Sequence, residues 1–130
     1  MAVKNPYAKL SEDVVYSATK EELTLMLYEG ALRFVNQAEI ALDKKDYNKV
    51  NELLIRVQDI IRELQITLKD EYEVAGYFRS MYDYIFRLLI DANISKEKPP
   101  LEEAKGYIRE FRDLWKEAMK LAKQQGHQFT

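Results

Sequence analysis

The sequence predicts an all-α fold, an antiparallel up-down four-helix bundle with an N-terminal arm or short helical turn docked on it. Three observations predict this. Apolar residues recur at spacings of three and four through four stretches of about 20 to 26 residues. No stretch alternates with period two for long enough to be a strand. The breaks between stretches are short, so consecutive helices are antiparallel neighbours. A chain of 130 residues suits one domain with a single core. The expected organisation is an arm over residues 1–18, a bundle over 19–126 and a frayed C-terminus over 127–130. Within the bundle, helices are expected at about 20–43, 47–68, 72–93 and 100–125.

The arm begins with a helix-breaking Pro6 and carries scattered apolar anchors, Tyr7 and Leu10 among them. The first helix opens on Thr19-Lys-Glu-Glu22, a capping-box pattern in which hydroxyl and carboxylate satisfy each other's backbone N–H groups. Leu23, Leu27, Ala31 and Phe34 make one face. Leu25 and Leu32 fall nearly opposite, and Tyr28 and Val35 on a flank. A helix apolar most of the way round must be covered most of the way round. Gly30 costs roughly 1 kcal/mol relative to Ala inside a helix, and close approach of a neighbouring helix is the expected reason for it.

Asp46 is a candidate cap for the second helix. Its seam is Val50, Leu54, Val57, Ile61, Leu64 and Leu68, widened by Leu53 and Ile60. Ile55 and Ile66 project to the far side. The third helix has Ala75, Phe78, Tyr82, Ile85, Leu89 and Ala92 as its seam, with Tyr77 and Tyr84 pointing away. Pro99 or Pro100 suits the first turn of the fourth helix, where a missing N–H does no harm. Glu102 and Glu103 then stand near the positive end of its dipole. Its seam runs Leu101, Ala104, Ile108, Phe111, Trp115, Ala118 and Ala122, beside a second stripe of Tyr107, Leu114 and Leu121. Gly126 can end it in a left-handed turn.

Chemistry is hard to place on this chain. Apolar residues make up 47% and charged residues 32%, the composition of a globular protein. Net charge is −2 with the signs interspersed, so a basic footprint for nucleic acid is missing. There is no cysteine, and the single histidine is His127, near the end. Thiolate metal sites, di-iron sites built on Glu-x-x-His pairs and Ser-His or Cys-His triads are therefore not expected. Acidic pairs such as Glu21-Glu22, Asp70-Glu71 and Glu102-Glu103 stand at expected helix starts, where negative charge is favoured without any catalytic role. The reading is of a non-enzyme with no cofactor, no metal, no nucleic-acid partner and no membrane contact. No apolar run approaches the roughly 20 residues a bilayer span needs. Nor does Met-Ala-Val-Lys-Asn-Pro look like a secretory signal, so a cytoplasmic location is expected.

What remains is surplus apolar surface. Tyr28, Leu32, Val35, Ile55, Ile66, Tyr77, Tyr84, Tyr107, Leu114 and Leu121 exceed what a narrow seam requires. Bundle helices often use a third apolar position per heptad, which accounts for Tyr107, Leu114 and Leu121 but less well for Ile55 and Ile66 or for Tyr77 and Tyr84. The chain also holds nine tyrosines, a residue favoured at interfaces. Two readings follow. The surplus forms grooves for another chain's apolar helix, or it drives self-association of a structural module.

Four stretches carry a resemblance that favours the first. They are Asn5-Pro-Tyr7; Glu22-Leu-Thr-Leu-Met-Leu-Tyr-Glu-Gly-Ala-Leu-Arg-Phe34; Met81-Tyr-Asp-Tyr-Ile-Phe-Arg-Leu-Leu-Ile-Asp-Ala-Asn93; and Arg109-Glu-Phe-Arg-Asp-Leu-Trp115. In order and spacing the chain resembles the FliS-type flagellar secretion chaperones, which bind flagellin. Met81 departs from the Leu that the family often has there, a volume-conserving change. The resemblance implies a cytoplasmic export chaperone, monomeric or weakly dimeric. It implies binding to the disordered C-terminal segment of flagellin, which blocks premature polymerisation, and the flagellar export apparatus as a further partner. It also implies that the arm covers part of the binding surface, with Tyr7 matching that role.

Overall fold

A computed structural model describes residues 18–69 and 75–124. Four helices follow one another: α1 (Lys20–Asp43), α2 (Tyr47–Thr67), α3 (Ala75–Ser95) and α4 (Lys98–Gln124). Among the described residues there is no strand, so the fold is all-α.

Local chemistry explains where the helices begin and end. Thr19 accepts from the Glu22 N–H at 3.1 Å and Glu22 accepts from the Thr19 N–H at 3.2 Å, so the capping box is closed in both directions. At the other end of α1, Lys45 adopts a left-handed φ of 59°. The Lys45 N–H then reaches the Leu42 carbonyl at 3.0 Å and the Asp46 N–H reaches Ala41 at 2.9 Å. That is a Schellman closure made with lysine where glycine is usual. Asp46 immediately caps α2 through the Lys49 N–H. Between α3 and α4, Lys96 again takes a left-handed φ, of 55°. Pro99 and Pro100 stand in the first turn of α4, where missing N–H groups cost nothing. Because α4 begins at Lys98, Glu102 and Glu103 fall in its second turn and not at the dipole end. The 72–74 start expected for the third helix, Gly126 and His127 lie outside the described residues.

Each helix packs against two neighbours, in the cyclic order α1, α2, α3, α4 and back to α1. Contacts fix the antiparallel sense. Glu39 of α1 meets Lys105 of α4, while Glu21, a helix length earlier, meets Trp115. Asn51 of α2 pairs with Asn93 of α3, and Gln65 with Asp83. One continuous core results, with Val35, Val57, Ile61, Ile85, Leu89 and Ile108 fully buried.

The core is wider on α1 than a single seam. Tyr28 and Val35 are 3% and 0% exposed and Leu32 7%. These three were expected among the uncovered surplus, and that expectation is corrected: α1 is clamped between α2 and α4, so its flanks are interior as well as its face. The Tyr28 hydroxyl crosses the bundle diagonal to the Tyr82 hydroxyl of α3. The close-approach explanation of Gly30 is corrected too. A Cβ built there would meet Ile60 Cδ1 at 3.7 Å, an ordinary contact, so packing does not demand glycine.

Candidate partner-binding surface

A four-helix ring has four outer seams, and its side chains close three of them with polar or charged groups. On the α1–α2 seam the Arg56 guanidinium stands over the Phe34 ring at 5.5 Å. On α2–α3, Arg62 lies over Phe86 at 4.3 Å, Gln65 donates to Asp83 at 2.7 Å and Asn93 donates to Asn51 at 2.8 Å. On α4–α1, Lys105 pairs with Glu39 at 2.8 Å, Lys98 pairs with Asp43 and the Trp115 indole donates to the Glu21 carbonyl at 3.0 Å. Asp43 beside Lys98 also pushes the ammonium pKa up.

The α3–α4 seam is different. Here Tyr84 stacks edge-on against Tyr107 with centroids 5.8 Å apart, and Tyr77 against Phe111 at 6.4 Å. Behind them, Phe78, Tyr82 and Phe111 form an aromatic floor, with Phe78 and Phe111 5.3 Å apart. Tyr77 is 58% exposed, Leu114 52% and Leu121 46%. Across this seam the Tyr84 hydroxyl donates to the Glu103 carboxylate, and that bond raises the phenol pKa. A partner helix laid along α3–α4 would meet aromatic and aliphatic side chains with little polar lacing to break.

The twelve candidate residues therefore divide. Tyr77, Tyr84, Tyr107, Leu114 and Leu121 lie along one seam. Heptad spacing within each helix, combined with the antiparallel sense, sets Tyr84 opposite Tyr107 and Tyr77 opposite Leu114. Tyr28, Leu32 and Val35 are core and cannot reach a partner in this arrangement. Ile55 is half-buried and Ile66 exposed, both on the outer side of α2, away from that seam. Tyr7 and Leu10 lie outside the described residues. Exposed Ile40, Tyr47 and Ile94 escaped the sequence reading. Ile94 did so because the third helix was expected to stop at Asn93, one residue short of it. Leu25 is the part of the expected α1 surplus that does stay at the surface, in a cleft that Glu22, Met26, Glu29 and Arg33 also line.

No group of His, Cys, Asp or Glu among the described residues could hold a metal ion. No described helix is long and apolar enough to cross a membrane. What the described side chains assemble is an elongated, exposed apolar seam along α3 and α4.

The fold is a four-helix module with one exposed aromatic seam. Comparison with known proteins narrows the class. The family described as "Flagellar protein FliS" matches residues 3–122. The flagellar secretion chaperone FliS of Bacillus subtilis is 42% identical over 127 residues, covering 98% of this chain and 96% of its own. That of Salmonella typhimurium is 31% identical over 115 residues, 85% of each chain, and that of Escherichia coli 27% over 117 residues. This chain belongs to the FliS family of flagellar secretion chaperones.

Proposed function

We propose that this chain is a cytoplasmic export chaperone that binds the disordered C-terminal segment of flagellin and blocks its polymerisation before flagellar export. The observation that supports the reading is the α3–α4 seam, which is aromatic and exposed while the other three are crossed by cation–π contacts, ion pairs or side-chain hydrogen bonds. A disordered segment that folds on docking spends roughly 2–5 kcal/mol of its interaction energy on ordering. An elongated apolar surface offsets that cost without very tight binding, so the cargo can be handed on to the export apparatus. The mechanism is steric: a helix that would pack in a filament packs on the bundle instead. No covalent step is needed, and the chain is no enzyme on this reading.

Static light scattering of the chain with and without a flagellin C-terminal peptide tests it. The expected result is a one-to-one complex, with circular dichroism showing more helicity than the sum of its parts. A stable homodimer that ignores the peptide sinks the reading and leaves the self-associating module in its place.

A further inference from the structure

We propose that the α3–α4 seam selects an amphipathic helix whose apolar stripe is flanked by lysine or arginine. The inference rests on the reading above, that a helix-forming segment docks here, and adds the chemistry of that segment.

The charges of α4 are sorted by side. Glu103, Glu110 and Glu117 recur every seven residues, and each precedes by four a residue of the apolar stripe, Tyr107, Leu114 or Leu121. Residues four apart on a helix are surface neighbours, so every stripe residue has a carboxylate beside it. The Tyr84–Glu103 bond shows that this row overlooks α3. Glu110 and Glu117 are exposed and have no ion-pair partner among the described residues. On the α3 side Arg87 and Asp91 are exposed and offset each other, so the seam keeps the negative excess of α4.

Most cations of α4 are elsewhere. Lys105, Arg109, Arg112 and Lys116 follow steps of four, three and four, which puts them on one face; Lys120, three residues after Glu117, is the exposed cation beside the row. The Lys105–Glu39 pair identifies that face as the α1 side. In a chain whose overall charge is only −2, the sorting leaves the flank of α4 directly beside Tyr107, Leu114 and Leu121 with an excess of carboxylates.

This argues against a second copy as the occupant. A two-fold contact uses the same patch on both partners, so the carboxylate rows would face each other across a contact that excludes water. A helix with cationic flanks meets the row instead. Residues 107 to 121 span roughly 21 Å along α4, so a helix of about four turns suffices.

Two synthetic amphipathic peptides of about 20 residues test the proposal, sharing one Leu/Ile stripe and differing only in Lys or Glu beside it. Titration calorimetry measures each against the full chain, a Glu110→Lys/Glu117→Lys variant and a Leu114→Asp variant, with circular dichroism confirming that each variant is folded. Three exposed charge pairs correspond to about tenfold in affinity, so the Lys peptide should bind the unmodified chain about tenfold tighter than the Glu peptide. High salt should shrink that gap. The charge-reversed variant should invert the preference, and Leu114→Asp should weaken both peptides. Equal binding of the two peptides, a preference unmoved by charge reversal, or dimerisation that Leu114→Asp abolishes would overturn the proposal. The flagellin segment is titrated in parallel. If it binds but ignores Leu114→Asp, the seam is not its site and this inference falls while the chaperone reading stands. If it fails to bind while the Lys peptide keeps its preference, the chaperone reading falls and the selectivity of the seam stands.

Discussion

At the residue scale the most consequential pair is Tyr28 and Tyr82. Both are in the core, 3% and 4% exposed, and each hydroxyl is the other's partner across the bundle diagonal. A buried hydroxyl left alone costs about 1–3 kcal/mol, whereas removing both partners of a bond can be nearly neutral. Tyr28→Phe and Tyr82→Phe should therefore each destabilise by about that amount and the double variant by clearly less than the sum. Urea unfolding followed by helicity measures this; strictly additive losses would show that the hydroxyls do not act as a pair. The same burial pushes both phenol pKa values up. In the unfolded chain tyrosine loses its proton near pH 10, while the folded pair keeps its protons, so above that pH the folded state binds more protons. Stability should be intact below about pH 10 and fall above it by up to about 1.4 kcal/mol per pH unit for each tyrosine. In the Tyr28→Phe/Tyr82→Phe variant the alkaline decline should be shallower. Tyr28 was legible as apolar and off the main seam, but its partner lies 54 residues away in sequence, beyond the reach of any local pattern.

At the scale of elements, the start of α1 follows local chemistry closely. The Thr19–Glu22 box is readable in four residues because both of its bonds are made within them. Two positions on or beside α1 run against local preference. Gly30 is inside the helix with room for a methyl group, and Lys45 holds a left-handed φ that glycine adopts more readily. Gly30→Ala should stabilise the bundle by about 0.5–1 kcal/mol, since the added methyl meets Ile60 at an ordinary distance. Lys45→Gly should relieve a comparable strain, about 0.5–1 kcal/mol after allowing for the greater freedom of the unfolded chain. Thermal unfolding of the two single variants and their combination checks both. A loss of stability in Gly30→Ala would mean that Ile60 cannot accommodate the methyl, and would restore the close-approach account of the glycine. Sequence suggested close packing there because a glycine facing a core usually has that cause. The distance to Ile60 depends on how α2 is set against α1, which no single-helix pattern contains.

At the scale of the whole molecule, the proposed function depends on an imbalance among seams. Three are laced by Arg56, Arg62, Lys105 and their partners, and one is left to tyrosines and leucines. Docking along a laced seam would break ion pairs or cation–π contacts before gaining apolar burial. Docking along α3–α4 disturbs one exposed Tyr84–Glu103 bond. The deeply buried positions of α4 end at Phe111, and Trp115 is only half-buried, so the farther half of that helix adds its exposed stripe, Leu114 and Leu121, to the seam. The flagellin and peptide titrations therefore probe this arrangement of helices more than any one residue. Ile66 illustrates the point: it is more exposed than Leu114, yet it stands on the outer side of α2, where the α2–α3 seam beside it is closed by Arg62 and Gln65.

The sequence by itself determined that the protein is all-α, that four amphipathic helices share one core, and which family it joins. Those conclusions depend on period, cap chemistry and motif order, all properties of neighbouring residues along the chain. Tertiary structure alone decided which of the surplus apolar residues are interior. Helical period sets each side chain's angle about its own axis but not which neighbouring helix occupies that direction. Tyr28 and Tyr84 both looked like flank positions; the first is buried on α1 between two neighbours, and the second is exposed at an aromatic seam.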